Sequence, residues 1–100
     1  MTIMWRQSAV ESLLELDEWR KSIELEPIAA FIMTTVDLYF KQQDFSIHIP
    51  DRQVIIQEMP VELRMVLIAI GKSDPYKVFY RTCEERIEIF LVRHPHQKPV

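Results

Sequence analysis

The last forty residues of this chain concentrate basic side chains that could bind an anion. Lys77 and Arg81 lie on one face of an alternating run, and Arg93 and His94 close the next run. The candidate set on the predicted sheet and tail is Arg64, Lys77, Arg81, Arg93, His94, His96 and Lys98. It fits three interpretations: a solvated sheet face whose charges protect an edge, a cationic surface for an acidic partner, or a phosphate-binding surface in which a histidine transfers protons.

Other kinds of active site find little support in the sequence. His94 and His96 are two residues apart with no cysteine beside them, which is not a zinc-binding spacing. Neither a phosphate-binding glycine loop nor a nucleophile elbow is present. Cys83 precedes Glu84 and Glu85, whose negative charges disfavour a reactive thiolate. The sequence therefore predicts no metal and no cofactor.

Charge is distributed unevenly along the chain, which carries a net charge of -3 at pH 7. Residues 8–42 contain seven acidic and three basic residues, whereas residues 61–100 contain seven basic and five acidic residues. The overall acidity argues against a dedicated nucleic-acid-binding protein, and we expect no direct sequence-specific binding of nucleic acid. A positive region on a negative molecule instead favours a surface for one particular partner.

Size and composition are those of one globular domain. The chain has 100 residues, of which 48% are hydrophobic and 27% are charged. It contains no apolar run long enough to span a membrane and no basic N-terminal region followed by an apolar stretch. Its single cysteine, Cys83, cannot form an internal disulfide. These features predict a cytoplasmic protein without membrane contact.

A helical hairpin is predicted over residues 8–42. Ser8 and Glu11 have the spacing of a capping box, and apolar residues recur at helical intervals after them. Pro27 disfavours helical geometry in the residue before it and is well suited to open a second helix. The aromatic residues predicted to lie in the core are Phe31, Tyr39 and Phe40.

Strands are predicted on both sides of the hairpin. Residues 3–6 form an edge strand, and three apolar runs joined by short polar turns make residues 61–93 a three-stranded meander. Residues 53–57 are a further candidate strand, and residues 94–100 form a polar tail. In the last strand, the predicted alternation sets Ile87, Ile89 and Leu91 on one face and Glu88, Phe90 and Val92 on the other. We therefore expect a single α+β domain over residues 1–100, with a two-helix hairpin on a twisted antiparallel sheet of about four strands.

Several short motifs add to this order of elements. They are Trp5, Ala9, Leu13 and Leu16 near the start, Met59-Pro60, Glu62, Arg64, Leu67-Ile68 and Gly71 in the middle, and Tyr76, Phe79-Tyr80-Arg81 and Val92-Arg93-His94 near the end. In order and approximate spacing the chain resembles the RelE/ParE superfamily of toxins from type II toxin–antitoxin systems. The resemblance covers nearly the whole sequence.

The resemblance implies a partner protein, a cognate antitoxin whose flexible C-terminal segment wraps the toxin. Such a segment gains affinity by ordering on a preformed groove or by adding a strand to a sheet. An acidic part of that antitoxin would meet the basic sheet and tail. The residues predicted to bind it are Arg64, Lys77, Arg81, Arg93 and His94.

Two activities occur in the superfamily. RelE-like members cleave mRNA on the ribosome with basic sheet residues and a Tyr or His near the C-terminus, whereas ParE-like members inhibit DNA gyrase. The acidic chain has no tyrosine after Tyr80, which favours a ParE-like gyrase inhibitor without catalytic residues.

The alternatives stay open at this point. A nuclease of this fold would use Arg64, Arg81 and Arg93 to stabilise the phosphate, and His94 or His96 to move the proton. The tail departs from the tails of many relatives, so a third possibility is a non-toxic chain that only binds the antitoxin.

Overall fold

The computed structural model describes residues 2–42, 52–55, 62–72 and 74–95, with the backbone alone at residues 52–55 and 62. The elements in chain order are β1 (Thr2–Trp5), α1 (Gln7–Ser22), α2 (Ala29–Gln42), β2 (Arg52–Ile55), β3 (Glu62–Ile68), β4 (Tyr76–Cys83) and β5 (Arg86–Arg93). The strands form one sheet in the order β1-β5-β4-β3-β2. The predicted fold class, α+β with a helical hairpin packed on a sheet, is confirmed.

The direction of the first strand differs from the prediction. Strands β2 to β5 form an antiparallel meander, but β1 runs parallel to β5, with Ile3 opposite Ile87 and Trp5 opposite Ile89. The described sheet therefore has five strands and is mixed rather than wholly antiparallel. A four-residue strand carries no sign of its direction, which depends on where the rest of the chain returns.

The main core lies between the helices and one face of the sheet. Its helical members are Ala9, Leu13, Leu16, Ile32, Val36 and Phe40, and its sheet members are Val66, Ile68, Ile70, Tyr76, Val78, Tyr80, Ile87, Ile89 and Val92. The ring of Phe40 meets Tyr80 with centroids 4.8 Å apart. The core prediction is wrong for Phe31, which is 54% exposed because it lies outside the stripe that α2 turns toward the sheet.

A β-bulge in β5 changes which side chains reach this core. Phe79 lies opposite Leu91 and Tyr80 lies opposite Ile89, so Phe90 is an extra residue in β5. Leu91 packs with Phe90 on the face away from the helices, and Val92 enters the main core. The predicted alternation is wrong from Leu91 onward, because an unbroken apolar run does not mark its extra residue.

Serines of α1 continue the pairing that β1 begins along β5. The Arg6 amide donates to the Ile89 carbonyl at 2.9 Å, and the Ser8 hydroxyl donates to the Phe90 carbonyl at 2.6 Å. The Val92 amide donates to the Ser12 hydroxyl oxygen at 3.1 Å. The capping-box prediction is wrong, because Arg6 occupies the N-cap position and the Ser8 hydroxyl bonds to the sheet.

A carboxylate of α1 caps the start of α2. Oδ1 of Asp17 accepts the backbone N–H groups of Ile28 at 2.7 Å and Ala29 at 3.0 Å. Backbone N–H groups at a helix start have no partner within the helix, and the helix dipole favours a negative charge there. Asp17 therefore fixes the angle between the two helices by a bond to the backbone.

We expect Asp17→Ala to lower the free energy of unfolding by about 1–1.5 kcal/mol, because two amide donors lose their acceptor. Asp17→Asn keeps an oxygen at the same position and should lose roughly half as much. Urea unfolding of both variants measures the effect, with Glu15→Ala as the control on an exposed acidic position. Equal stability of the Asp17→Ala variant and the unsubstituted protein would contradict the cap.

Candidate functional site

The face of the sheet turned away from the helices gathers the basic residues of several elements. We call it the outer face and define it by Met4, Arg6, Leu63, Met65, Leu67, Lys77, Phe79, Arg81, Arg86, Glu88, Phe90, Leu91 and Arg93. Each strand residue in this set alternates with a residue of the main core or lies opposite another member of the set. The bulge at Phe90 is what turns Arg93 to this face.

Glu88 lies at the centre of the basic residues, and its side chain is fully inaccessible to solvent. Arg81 donates two hydrogen bonds to Glu88, from Nε to Oε2 at 3.1 Å and from Nη2 to Oε1 at 3.3 Å. Nη1 of Arg6 donates to Oε1 at 3.2 Å, and Nε of Arg86 lies 3.7 Å from Oε2. One carboxylate thus orders three guanidinium groups, a set that we call the arginine cluster.

The ring of Phe90 forms the floor of the arginine cluster. The guanidinium carbons of Arg6 and Arg81 lie 5.4 Å and 5.5 Å from the ring centroid, within range of a cation–π interaction. The ring itself is only 9% exposed. The side chains of Arg6, Arg81 and Arg86 remain 47%, 34% and 41% exposed. The cluster therefore presents cationic edges to solvent while its carboxylate and aromatic parts are covered.

The ionisation of Glu88 follows from these contacts. The hydrogen bond from Arg81 lowers the pKa of Glu88 below its usual 4.5, and this effect outweighs the burial that would raise it. The same bond raises the pKa of Arg81. At neutral pH, Glu88 is a carboxylate, and the arginine cluster carries a net charge of about +2.

Lys77 and Arg93 add a second basic point to the outer face. They lie directly opposite each other on β4 and β5. Like charges at opposite positions destabilise a sheet. Nε of Arg93 is also buried without a hydrogen-bond partner. An anion bound between these side chains would relieve both costs.

The residues that the sequence predicts as one site lie on both faces of the sheet in the structure. Lys77, Arg81 and Arg93 share the outer face. Arg64 lies opposite Tyr80 and so belongs to the side of the sheet that faces the helices, where its side chain is exposed. The ring of His94 contacts the rings of Trp19 and Tyr76, each with centroids 5.3 Å apart, which also places it on the helix side. His96 lies outside the described residues.

Sequence reasoning missed Arg6, Arg86 and Glu88. One signal for Glu88 was present, since it is a single acidic residue in an apolar run. The two-residue turn between β4 and β5 also sets it opposite Arg81. Arg6 offered no such signal, because it reaches Glu88 only through the parallel pairing of β1 with β5.

The part of the chain that is described was compared with two further kinds of feature, a metal-binding cluster and a helix that could span a membrane. No group of three or more His, Cys, Asp or Glu side chains among these residues is arranged to hold a metal ion. Neither α1 nor α2 has the length and apolar character that a membrane span requires.

Comparison with known proteins gives no neighbour from which a role could be transferred. No protein-family model, no curated protein and no solved structure matches this chain. The case for a function therefore depends on the outer face and on the order of the elements.

Proposed function

We propose that this chain is a cytoplasmic toxin component of a type II toxin–antitoxin system, a member of the RelE/ParE superfamily that inhibits DNA gyrase by binding to it. The order of strand, helical hairpin and meander supports the family, since the resemblance rested partly on that order. The observation that carries the choice of gyrase over RNA cleavage is the separation of the candidate nuclease residues between the two sides of the sheet.

A nuclease of this kind needs a proton-transferring group beside the arginines that hold the phosphate. His94 packs instead against Trp19 and Tyr76 on the helix side, away from Arg81 and Arg93. Among the described residues of the outer face there is no histidine or tyrosine. Glu88 cannot supply the proton, since its lowered pKa keeps it ionised at neutral pH. These placements support a toxin that acts by contact.

Neutralisation would use the outer face. Its basic residues offer charge complementarity to an acidic segment of the antitoxin. The partner assignment accordingly moves from Arg64 and His94 toward Lys77, Arg81 and Arg93, together with Arg6 and Arg86.

The experiment that tests the proposal is gyrase supercoiling of relaxed plasmid DNA with the purified protein. We expect dose-dependent inhibition of supercoiling that is reversed by the cognate antitoxin. Absence of inhibition at large excess would refute the gyrase assignment. Cleavage of ribosome-bound mRNA would then identify the nuclease alternative, and complex formation without either activity would identify a non-toxic antitoxin-binding component.

We expect the double substitution Lys77→Ala and Arg93→Ala to weaken the complex with the antitoxin by about tenfold, which corresponds to ~1.4 kcal/mol. The melting temperature should not fall, because the substitutions remove two opposed like charges and an unpartnered Nε. Titration calorimetry and thermal unfolding measure the two quantities. The control is Lys21→Ala with Lys41→Ala, which removes the same charge from the exposed helix surface. Equal affinities for the two double variants would contradict the assignment to this face.

A further inference from the structure

We propose that the arginine cluster is a preformed receptor for a carboxylate side chain in an acidic, leucine-rich segment of a partner protein, and that Glu88 is its positioning residue. The inference rests on the proposed function to the extent that the antitoxin is that partner, and it names the chemistry of the contact. Its ground is the contact of one buried carboxylate with three partly exposed guanidinium groups, through hydrogen bonds from Arg6 and Arg81 and an ion pair with Arg86.

The cluster has more guanidinium donors than Glu88 can accept, which makes it a receptor rather than a closed salt bridge among the described residues. Each guanidinium has five N–H donors, and a carboxylate can accept about four hydrogen bonds in all. Arg81 donates hydrogen bonds from Nε and Nη2 to Glu88, and Arg6 donates one hydrogen bond from Nη1. Nε of Arg86 is buried and lies 3.7 Å from Oε2 of Glu88, so the exposed donors of Arg86 are those of its Nη atoms. The remaining donors suit a second oxyanion, with which guanidinium groups form strong charge-assisted pairs.

Preorganisation follows from the position of Glu88. Its side chain is fully covered and lies in the middle of a paired strand, so it does not rearrange when a ligand arrives. Arg6 and Arg81 also lie over one aromatic ring. Long side chains that are already ordered lose less entropy on binding, which raises affinity without any new contact.

The surroundings of the cluster favour a protein segment over a nucleic acid. Single-stranded nucleic acids bind to exposed aromatic rings on which bases stack. The described aromatic residues of the outer face, Phe79 and Phe90, are only 6% and 9% exposed. The exposed apolar side chains of this face are aliphatic, Met4 at 38% and Leu67 at 54%, and Met4 lies directly opposite Glu88. Aliphatic contacts beside a cationic receptor match an acidic segment that carries leucines.

The test uses fluorescence anisotropy with three labelled probes: a short peptide of alternating Glu and Leu, the same peptide with Gln for Glu, and single-stranded oligothymidylate of equal formal charge. We expect binding of the Glu peptide at least about tenfold tighter than that of the other two probes. Tighter binding of the oligothymidylate would overturn the choice of partner class, and equal binding of the Gln peptide would overturn the carboxylate receptor.

Substitutions then locate the site. Arg6→Ala, Arg81→Ala and Arg86→Ala together should weaken binding of the Glu peptide by more than about tenfold. The matched control is Lys21→Ala, Lys41→Ala and Lys72→Ala, which removes an equal charge from exposed positions outside the strands and should change binding less than about twofold. Equal losses in the two triple variants would show a general charge effect and overturn the receptor.

Glu88→Gln separates positioning from charge. This substitution removes a negative charge from the receptor, so charge attraction alone predicts tighter binding of the acidic peptide. The positioning role predicts binding that is weaker by at least about threefold, because the arginines lose their common anchor. Circular dichroism at the assay temperature checks that every variant is folded. Unchanged or tighter binding would overturn the positioning role.

These measurements do not depend on gyrase. If the unsubstituted protein binds the Glu peptide but does not inhibit gyrase supercoiling, the proposed function is refuted and the receptor stands. If the protein inhibits gyrase but does not bind the Glu peptide, the receptor is refuted and the proposed function stands.

Discussion

Substituting Glu88 with alanine is expected to lower the free energy of unfolding by about 3 kcal/mol at pH 7. Breaking a buried ion pair by removing one partner costs roughly 3–5 kcal/mol. The lower end applies here, because Arg6, Arg81 and Arg86 are between 34% and 47% exposed and solvent screens their mutual repulsion. Urea unfolding measures the change. The matched variant is Glu88→Gln, which keeps the volume and one acceptor oxygen and should lose about 1–2 kcal/mol.

The effect of Glu88 should also depend on pH. The pKa of Glu88 in the folded protein is below 4.5, so its ionised form stabilises the fold above that pH. This stabilisation disappears as the pH falls through the lowered pKa of the folded state. The stability difference between the unsubstituted protein and Glu88→Gln should therefore shrink as the pH is lowered from 7 to about 3. A difference that stayed constant over this range would show that the carboxylate charge contributes nothing to stability.

Removing the two serine hydroxyls that α1 sets against β5 is expected to be about as costly. In the Ser8→Ala, Ser12→Ala variant, the carbonyl of Phe90 and the amide of Val92 lose their partners. A buried backbone group left without a hydrogen bond costs about 1–3 kcal/mol. Because both groups are only part-buried, we expect about 1–2 kcal/mol for each and about 2–4 kcal/mol for the two together. The higher helix propensity of alanine returns only a few tenths of that.

Hydrogen exchange gives the local readout for this variant. The amide of Val92 should exchange much faster, because its acceptor is gone. Amides in α2 should exchange faster only to the extent that the free energy of global unfolding falls. Ser22→Ala is the control, since the exposed Ser22 hydroxyl donates to the Trp19 carbonyl within its own helix. We expect that control to stay within about 0.5 kcal/mol of the unsubstituted protein. A double variant as stable as the control would mean that the two backbone groups find other partners.

Local patterns were enough to predict the fold class but not the pairing of its ends. The helices and the meander follow from periodicity and turns that lie within short windows of sequence. The parallel position of β1 and the bulge at Phe90 do not, because each depends on contacts between residues that are far apart in the chain. The serine pattern at Ser8 shows the same limit, since the residue suits a helix cap as well as a bond to a neighbouring strand.

The candidate site was predictable only in part for the same reason. Lys77 and Arg81 share a face by simple alternation, and Arg93 joins them only because the bulge turns it outward. Arg64 and His94 have the right residue types but lie on the other side of the sheet. By alternation alone Glu88 is one polar residue of its strand, although its burial makes it the residue on which the arginine cluster depends.

The pairing of β1 with β5 has a consequence for synthesis. Strand β1 leaves the ribosome before the other described strands, but its partner, residues 86–93, is the last of them to be made. Contacts between distant parts of a chain form slowly, and domains generally fold as units during translation. A nascent chain that stops before Arg86 has no neighbour for β1 and no Glu88 to gather the arginines. Incomplete translation products therefore lack the assembled arginine cluster.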